Sequence, residues 1–210
     1  MVENLNDFFV NVAGKHSTDG VVDVAQKLCS KFVNNIHTLF LKPITINELS
    51  DLIRTLPNKY TQGPDGLPYK IIKQSLDQIV KPLQALINLS YEQGKFPKQL
   101  KRTRVTPIQK NESSFDINNF RPISINSVIS IIYEKAAHKQ FVAFLNDNNL
   151  LSNRQHGYRH GRSTATAVQS LLDIVNTKLQ SKENTVILFL DLSKAFDDVS
   201  HELLLNKGQR

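Results

Sequence analysis

Tryptophan is absent from this chain, and cysteine occurs once, at Cys29. A single thiol excludes an internal disulfide and a zinc site built on cysteines, and it fits a reducing compartment. No apolar run approaches the roughly 18 residues of a membrane span. The start Met1-Val2-Glu3-Asn4 lacks the basic and apolar regions of a secretory leader. Internal repeats and low-complexity tracts are missing too. The expectation is an intracellular protein, nuclear or cytoplasmic, with no membrane and no disulfide partner.

What is present is basic charge. Lys and Arg number 26 against 19 Asp and Glu, a net charge of +7 and a pI near 9.5. That balance favours a polyanionic partner, although a solvated basic surface produces the same number. The distribution is more telling. Lys95, Lys98, Lys101, Arg102, Arg104 and Lys110 follow one another with no acid between them, and Arg154, Arg159 and Arg162 form a smaller group. The sign then reverses at Asp191, Asp197, Asp198 and Glu202. A polyanion channel beside an acidic metal-binding corner has this pattern. The hydrophobic fraction of 40% suffices for a core.

The periodicities outline the elements. Leu5, Phe8, Phe9 and Val12 share a helical face, and Asp19 precedes a second such run over Val21, Val22, Ala25 and Leu28. Thr45-Ile46-Asn47-Glu48 is a capping box ahead of Leu49, Leu52, Ile53 and Leu56. Gly63-Pro64-Asp65-Gly66 is turn chemistry, with Pro68 placed to open a helix. A long amphipathic helix runs from Leu76 to Tyr91 and stops at Gly94, with Pro82 expected to kink it or mark a junction. Arg104 to Lys110 resembles a strand that Pro107 confines to an edge. Asn118 to Ser124 begins a loop or short strand, and Val128 to Leu145 follows a helix. Gln155 to Gly161 is a Gly-bracketed basic loop. Ser163 or Thr164 then caps a helix with Val168, Leu171, Leu172, Val175 and Leu179 inward. Val186 to Leu190 predicts a buried strand with Asp191 at its end.

Several residues there can carry chemistry. A carboxylate at a strand mouth suits a magnesium ion that also binds substrate phosphates, while a carboxylate that merely caps the following turn has the same spacing. Lys110 and Arg121 suit phosphate contact from a two-stranded unit, or they are two exposed basic residues beside a turn. Gln155, Tyr158, Arg159 and Arg162 belong to a loop suited to nucleic acid. Its glycines admit close approach, its arginines meet phosphate and Tyr158 can stack on a base. An ordinary solvated loop reads the same way. His156 and His160 stand four apart, but flanking glycines and the want of a third ligand argue against a metal pair.

Taken in order, these segments resemble the reverse transcriptases of non-LTR retrotransposons, of the jockey-like kind. Five blocks carry the resemblance: Gly63 to Pro68; Arg104 to Lys110; Asn119 to Ser124; Gln155 to Arg159 with Ser163-Thr164; and Phe189 to Val199. Leu5 to Val10 also resembles the segment that joins endonuclease to polymerase in such elements.

The resemblance implies an α/β (α+β) fold: reverse transcriptase fingers with the first part of the palm. Residues 1–60 would be the helical linker and N-terminal extension, 61–185 a fingers-like region and 186–210 the start of the palm. Lys110 and Arg121 would lie in the fingers, with Arg121 on the triphosphate of the incoming deoxynucleotide. Asp191 would be the first catalytic metal ligand, assisted by the Leu192 carbonyl, and Phe196 the gate against a 2′-hydroxyl. Arg102, Arg104 and the 155–164 loop would face nucleic acid. The implied partners are an RNA template, a DNA primer and a deoxynucleoside triphosphate, and the implied cofactor is Mg2+, as two ions assisting in-line attack of the primer hydroxyl.

One departure changes the expected activity. The family's second metal-binding block is an aromatic-x-Asp-Asp hairpin, yet the one Asp-Asp pair here is Asp197-Asp198, inside the first block. The Gly-Gln-Gly block that precedes that hairpin is absent as well. The reading is therefore a fragment truncated before its second carboxylate block, unable to polymerise DNA alone, with an incomplete and exposed palm sheet. A non-catalytic nucleic-acid-binding remnant is the alternative. A phosphotransferase that forms an acylphosphate at Asp191 lacks its accompanying motifs.

Overall fold

A computed structural model of the chain describes residues 38–110 and 117–192, together with Glu3, Asp7, Val199, Ser200 and Leu204. Glu3 and Asp7 have helical backbone. The helical faces expected between Leu5 and Leu28, the Phe196 gate and the Asp197-Asp198 pair lie outside the described residues. The chain divides into two compact units, Met1–Phe144 and Leu145–Arg210.

In the first unit, α1 (Ile46–Arg54) begins at the expected capping box. The Glu48 amide donates to Thr45 Oγ1 at 3.2 Å, and the Thr45 amide donates to Glu48 Oε2 at 2.9 Å. These reciprocal bonds satisfy two amides that a helix start leaves without partners. The Glu48 carboxyl is held below its ordinary value, first by the Thr45 amide and then by the Thr45 hydroxyl. The helix buries Leu49 and Ile53.

After α2 (Tyr69–Gln74), Ser75 separates it from α3 (Leu76–Gln93). Helix α3 runs unbroken through Pro82, so the junction expected at that proline falls at Ser75 instead. Packing explains the continuity. Val80, Leu83 and Ile87 are buried on both sides of Pro82, so ending the helix there would uncover the core. Gly94 closes α3 in the left-handed conformation, φ +61°, which costs a glycine little.

The extended segment before α1 is tied to two helices. Asn88 and Gln84 on α3 hold both backbone groups of Ile44, at 2.8 to 3.1 Å. Lys42 exchanges two bonds with the Gln140 amide, at 2.7 and 2.8 Å, on α4 (Val128–Asp147). The core forms where α1, α2, α3 and α4 contribute Ile53, Ile72, Ile87 and Ile132. At its margin Phe96 meets Tyr133 edge-on, with ring centroids 5.8 Å apart.

A 3₁₀ turn (Lys98–Lys101) leads into β1 (Thr103–Gln109), which pairs antiparallel with β2 (Phe120–Asn126). This two-stranded ribbon is the whole sheet among the described residues. Both strands are thus edges, as Pro107 requires.

The second unit contains the 152–163 loop and α5 (Thr164–Gln180). Ser163 is the cap, its hydroxyl accepting from the Thr166 amide at 3.3 Å. Two expectations are corrected here. Helix α5 buries no residue: Val168, Leu172 and Leu179 are about half exposed or more. Val186 to Leu190 forms no strand, and its side chains are exposed, Leu188 at 79% and Phe189 at 80%. The physical reason is shared. Apolar patterning states which face seeks cover, but a strand exists only when another strand completes its ladder. Among the described residues none does.

Candidate nucleic-acid interface

The ribbon sorts its side chains by parity, since neighbours along a strand point to opposite faces. The register pairs Arg104 with Ile125, Thr106 with Ile123 and Ile108 with Arg121. Arg104, Thr106, Ile108, Arg121, Ile123 and Ile125 therefore share one face. Lys110 extends the same alternation, its amide donating to the Asn119 carbonyl at 2.7 Å. Arg102 precedes β1 in extended backbone and has the parity of Arg104. One face thus carries the cations, with isoleucines between them, while Val105, Ser124, Phe120 and the two prolines take the other. Arg102, Arg104, Lys110 and Arg121 are all exposed. At about 3.4 Å per residue, the Ile108–Arg121 pair lies roughly 14 Å along the ribbon from Arg104, and Lys110 roughly 7 Å further.

The Arg104 guanidinium is tied as well as exposed: its Nη2 donates to the Gln62 carbonyl at 3.0 Å.

In the second unit, the basic loop is braced by its own arginines. Arg159 Nη1 donates to the Ser152 carbonyl and Arg162 Nη1 to the Asn153 carbonyl, both at 2.7 Å. Both side chains are half-buried. The Gln155 side-chain amide reaches the Gly157 carbonyl at 3.2 Å. His156 Nδ1 lies 2.8 Å from the Thr166 hydroxyl at the start of α5. A guanidinium has five N–H donors, so a braced arginine retains others for phosphate. Tyr158 sits at the apex with φ +58° and is 91% exposed. A left-handed tyrosine is uncommon, and such conformations persist where surrounding bonds hold them.

Asp191 and Leu192 are exposed, in backbone without a ladder. Among the described residues, no three His, Cys, Asp or Glu side chains gather as a metal site requires. One carboxylate and one carbonyl do not fit a pair of divalent cations. The Phe196 position lies outside the described residues.

Sequence reasoning missed two residues at the ribbon root, Asp65 and Ser127. The Asp65 carboxylate accepts a hydrogen bond from the Ser127 hydroxyl across 62 positions of sequence. The turn at Asp65 is legible in Pro-Asp-Gly, but its partner is not, because no local pattern links residues so far apart.

A basic ribbon followed by an arginine-braced Gly-rich loop and a downstream aspartate has a counterpart among known proteins. Residues 108–210 match the family described as reverse transcriptase (RNA-dependent DNA polymerase), and through this segment the chain is similar to the reverse transcriptases. Its relatives include RNA-directed DNA polymerases of mobile elements. It is 28% identical over 174 residues to the probable RNA-directed DNA polymerase from transposon BS of Drosophila melanogaster, covering 82% of this chain and 19% of that protein. The RNA-directed DNA polymerase from mobile element jockey of the same species gives the same identity and coverage. The Pol polyprotein from the type-1 retrotransposable element R2 of Nasonia vitripennis is 26% identical over 87% of this chain and 17% of its own length. The chain thus spans about a fifth of the length of these curated relatives. No helix among the described residues is long and apolar enough to cross a membrane.

Proposed function

We propose that this chain supplies the fingers and the opening of the palm of an RNA-directed DNA polymerase. Residues 61–185 are the fingers-like part and 186–210 the start of the palm. Arg121 and Lys110 bind the triphosphate of the incoming deoxynucleotide, and Phe196 excludes a 2′-hydroxyl. Arg102, Arg104, Gln155, Tyr158, Arg159 and Arg162 face the RNA template and its primer. Asp191, with the Leu192 carbonyl, is one ligand set for magnesium. The observation that carries this reading is the common face of Arg104, Arg121 and Lys110 on a ribbon with no third strand among the described residues.

The 210 residues contain one Asp-Asp pair, so two adjacent dications lack the anionic ligands they need. The polypeptide by itself is accordingly inactive as a polymerase. Primer extension on an RNA template with magnesium, run beside Asp191→Ala, tests this. Synthesis that depends on Asp191 refutes it.

The exposure of Asp191, with no group of metal-ligating side chains around it among the described residues, favours a second reading, a nucleic-acid-binding chain without catalysis. Salt-dependent RNA binding that weakens on changing Arg102 and Arg104, yet ignores Asp191→Ala, supports it. RNA binding absent at low salt removes both readings.

A further inference from the structure

The turn Gly63-Pro64-Asp65-Gly66 is pressed against the root of the ribbon. The Gly66 amide closes it on the Gly63 carbonyl at 3.2 Å, and Gln62 bridges Pro68 at its neck. A Cβ on Gly63 would stand 2.7 Å from the Asn126 carbonyl oxygen and from Ser127 Cα. Only glycine allows that approach. Asp65 then reaches across. Its Oδ1 accepts from the Leu67 amide at 3.2 Å, and its Oδ2 accepts from the Ser127 hydroxyl. The same hydroxyl accepts from the Ile129 amide at 3.2 Å, in the first turn of α4. Ser127 is the residue that joins β2 to α4, and it is 4% exposed.

We propose that Asp65 is a positioning residue for triphosphate binding: through Ser127 it sets the angle at which the ribbon leaves α4, and so where Arg121 and Lys110 stand. The inference rests on the ribbon reading above. The lever arm shows why one bond matters. Arg121 lies five residues from Asn126, roughly 17 Å at 3.4 Å per residue. A 10° swing at the root moves it by roughly 3 Å, and about 1 Å of misplacement at a reacting group can cost on the order of a hundredfold in rate. The Arg104–Gln62 bond ties β1 to the neck of the same turn, so both strands are anchored to it.

The test uses the full chain with Cys29→Ser and spin labels at Thr106→Cys on the ribbon and Lys81→Cys on α3. Inorganic triphosphate is the binding probe. Asp65→Ala and Ser127→Ala are each expected to broaden the label distance distribution and to weaken triphosphate binding on the order of tenfold. The double variant should be no worse than either single one, because both remove the same bond. Ser127→Thr, which keeps the hydroxyl, should restore both readouts. A distance distribution that Asp65→Ala leaves unchanged overturns the inference. So does unchanged triphosphate affinity in Asp65→Ala where Arg121→Ala lowers it. If Arg121→Ala itself leaves affinity unchanged, the ribbon reading falls.

Discussion

Pro107 lies directly opposite Pro122 across the ribbon. The Lys110 amide bonds to the Asn119 carbonyl, which marks that pair as hydrogen-bonded, and antiparallel alternation assigns the same type to every second pair back from it. The proline pair falls between bonded pairs, where backbone nitrogens point outward. Neither proline therefore removes a bond from the ladder. Instead each outer edge lacks a donor at mid-strand, which impedes pairing with another strand.

Replacing Pro107 and Pro122 together by Thr restores both outward donors and keeps the ribbon. The double variant is expected to self-associate at concentrations where the parent chain does not, read by sedimentation velocity. An unchanged sedimentation profile would show that the prolines do not guard the edges.

The arginines divide into two kinds. Arg102 projects from the ribbon side, whereas Arg159 braces its loop through the Ser152 carbonyl. Arg102→Ala is expected to lower the salt slope of RNA binding by about one without exposing new protease sites. Arg159→Ala removes a bond worth about 1 kcal/mol, roughly fivefold in loop opening. It should speed cleavage within residues 152–163 by that factor, as limited proteolysis would report. Equal protease resistance in both variants would contradict the brace.

Tyr91 sets an alkaline limit. Among the described residues its hydroxyl is buried without a hydrogen-bond partner, and burial, followed by the neighbouring Tyr133, pushes its pKa up to about 12. In the unfolded chain the same phenol ionises near 10. Between these values the unfolded state binds fewer protons, so stability falls as pH rises. The contribution is complete below pH 10 and is lost on approaching pH 12. Tyr91→Phe should be neutral or slightly stabilising near pH 7, because it removes a buried donor that nothing accepts. It should also flatten the decline above pH 10. Denaturant melts at both pH values check this, and a large loss at pH 7 would mean that the hydroxyl has a partner after all.

Where the physics is local, the sequence by itself determined the outcome. The Thr45–Glu48 box, the Gly94 stop, the Ser163 cap and the basic loop each depend on residues within a turn or two. The ordered blocks around Arg104, Arg121, Gln155 and Asp191 likewise disclosed the resemblance to reverse transcriptases. Tertiary structure decided what distant residues do together. It carried α3 through Pro82, because buried neighbours on both sides outweigh one missing amide. It left Val186 to Leu190 without a ladder, because a strand's hydrogen bonds belong to its partner as much as to itself. It also joined Asp65 to Ser127, because a hydrogen bond between positions 62 apart exists only once the chain between them has folded.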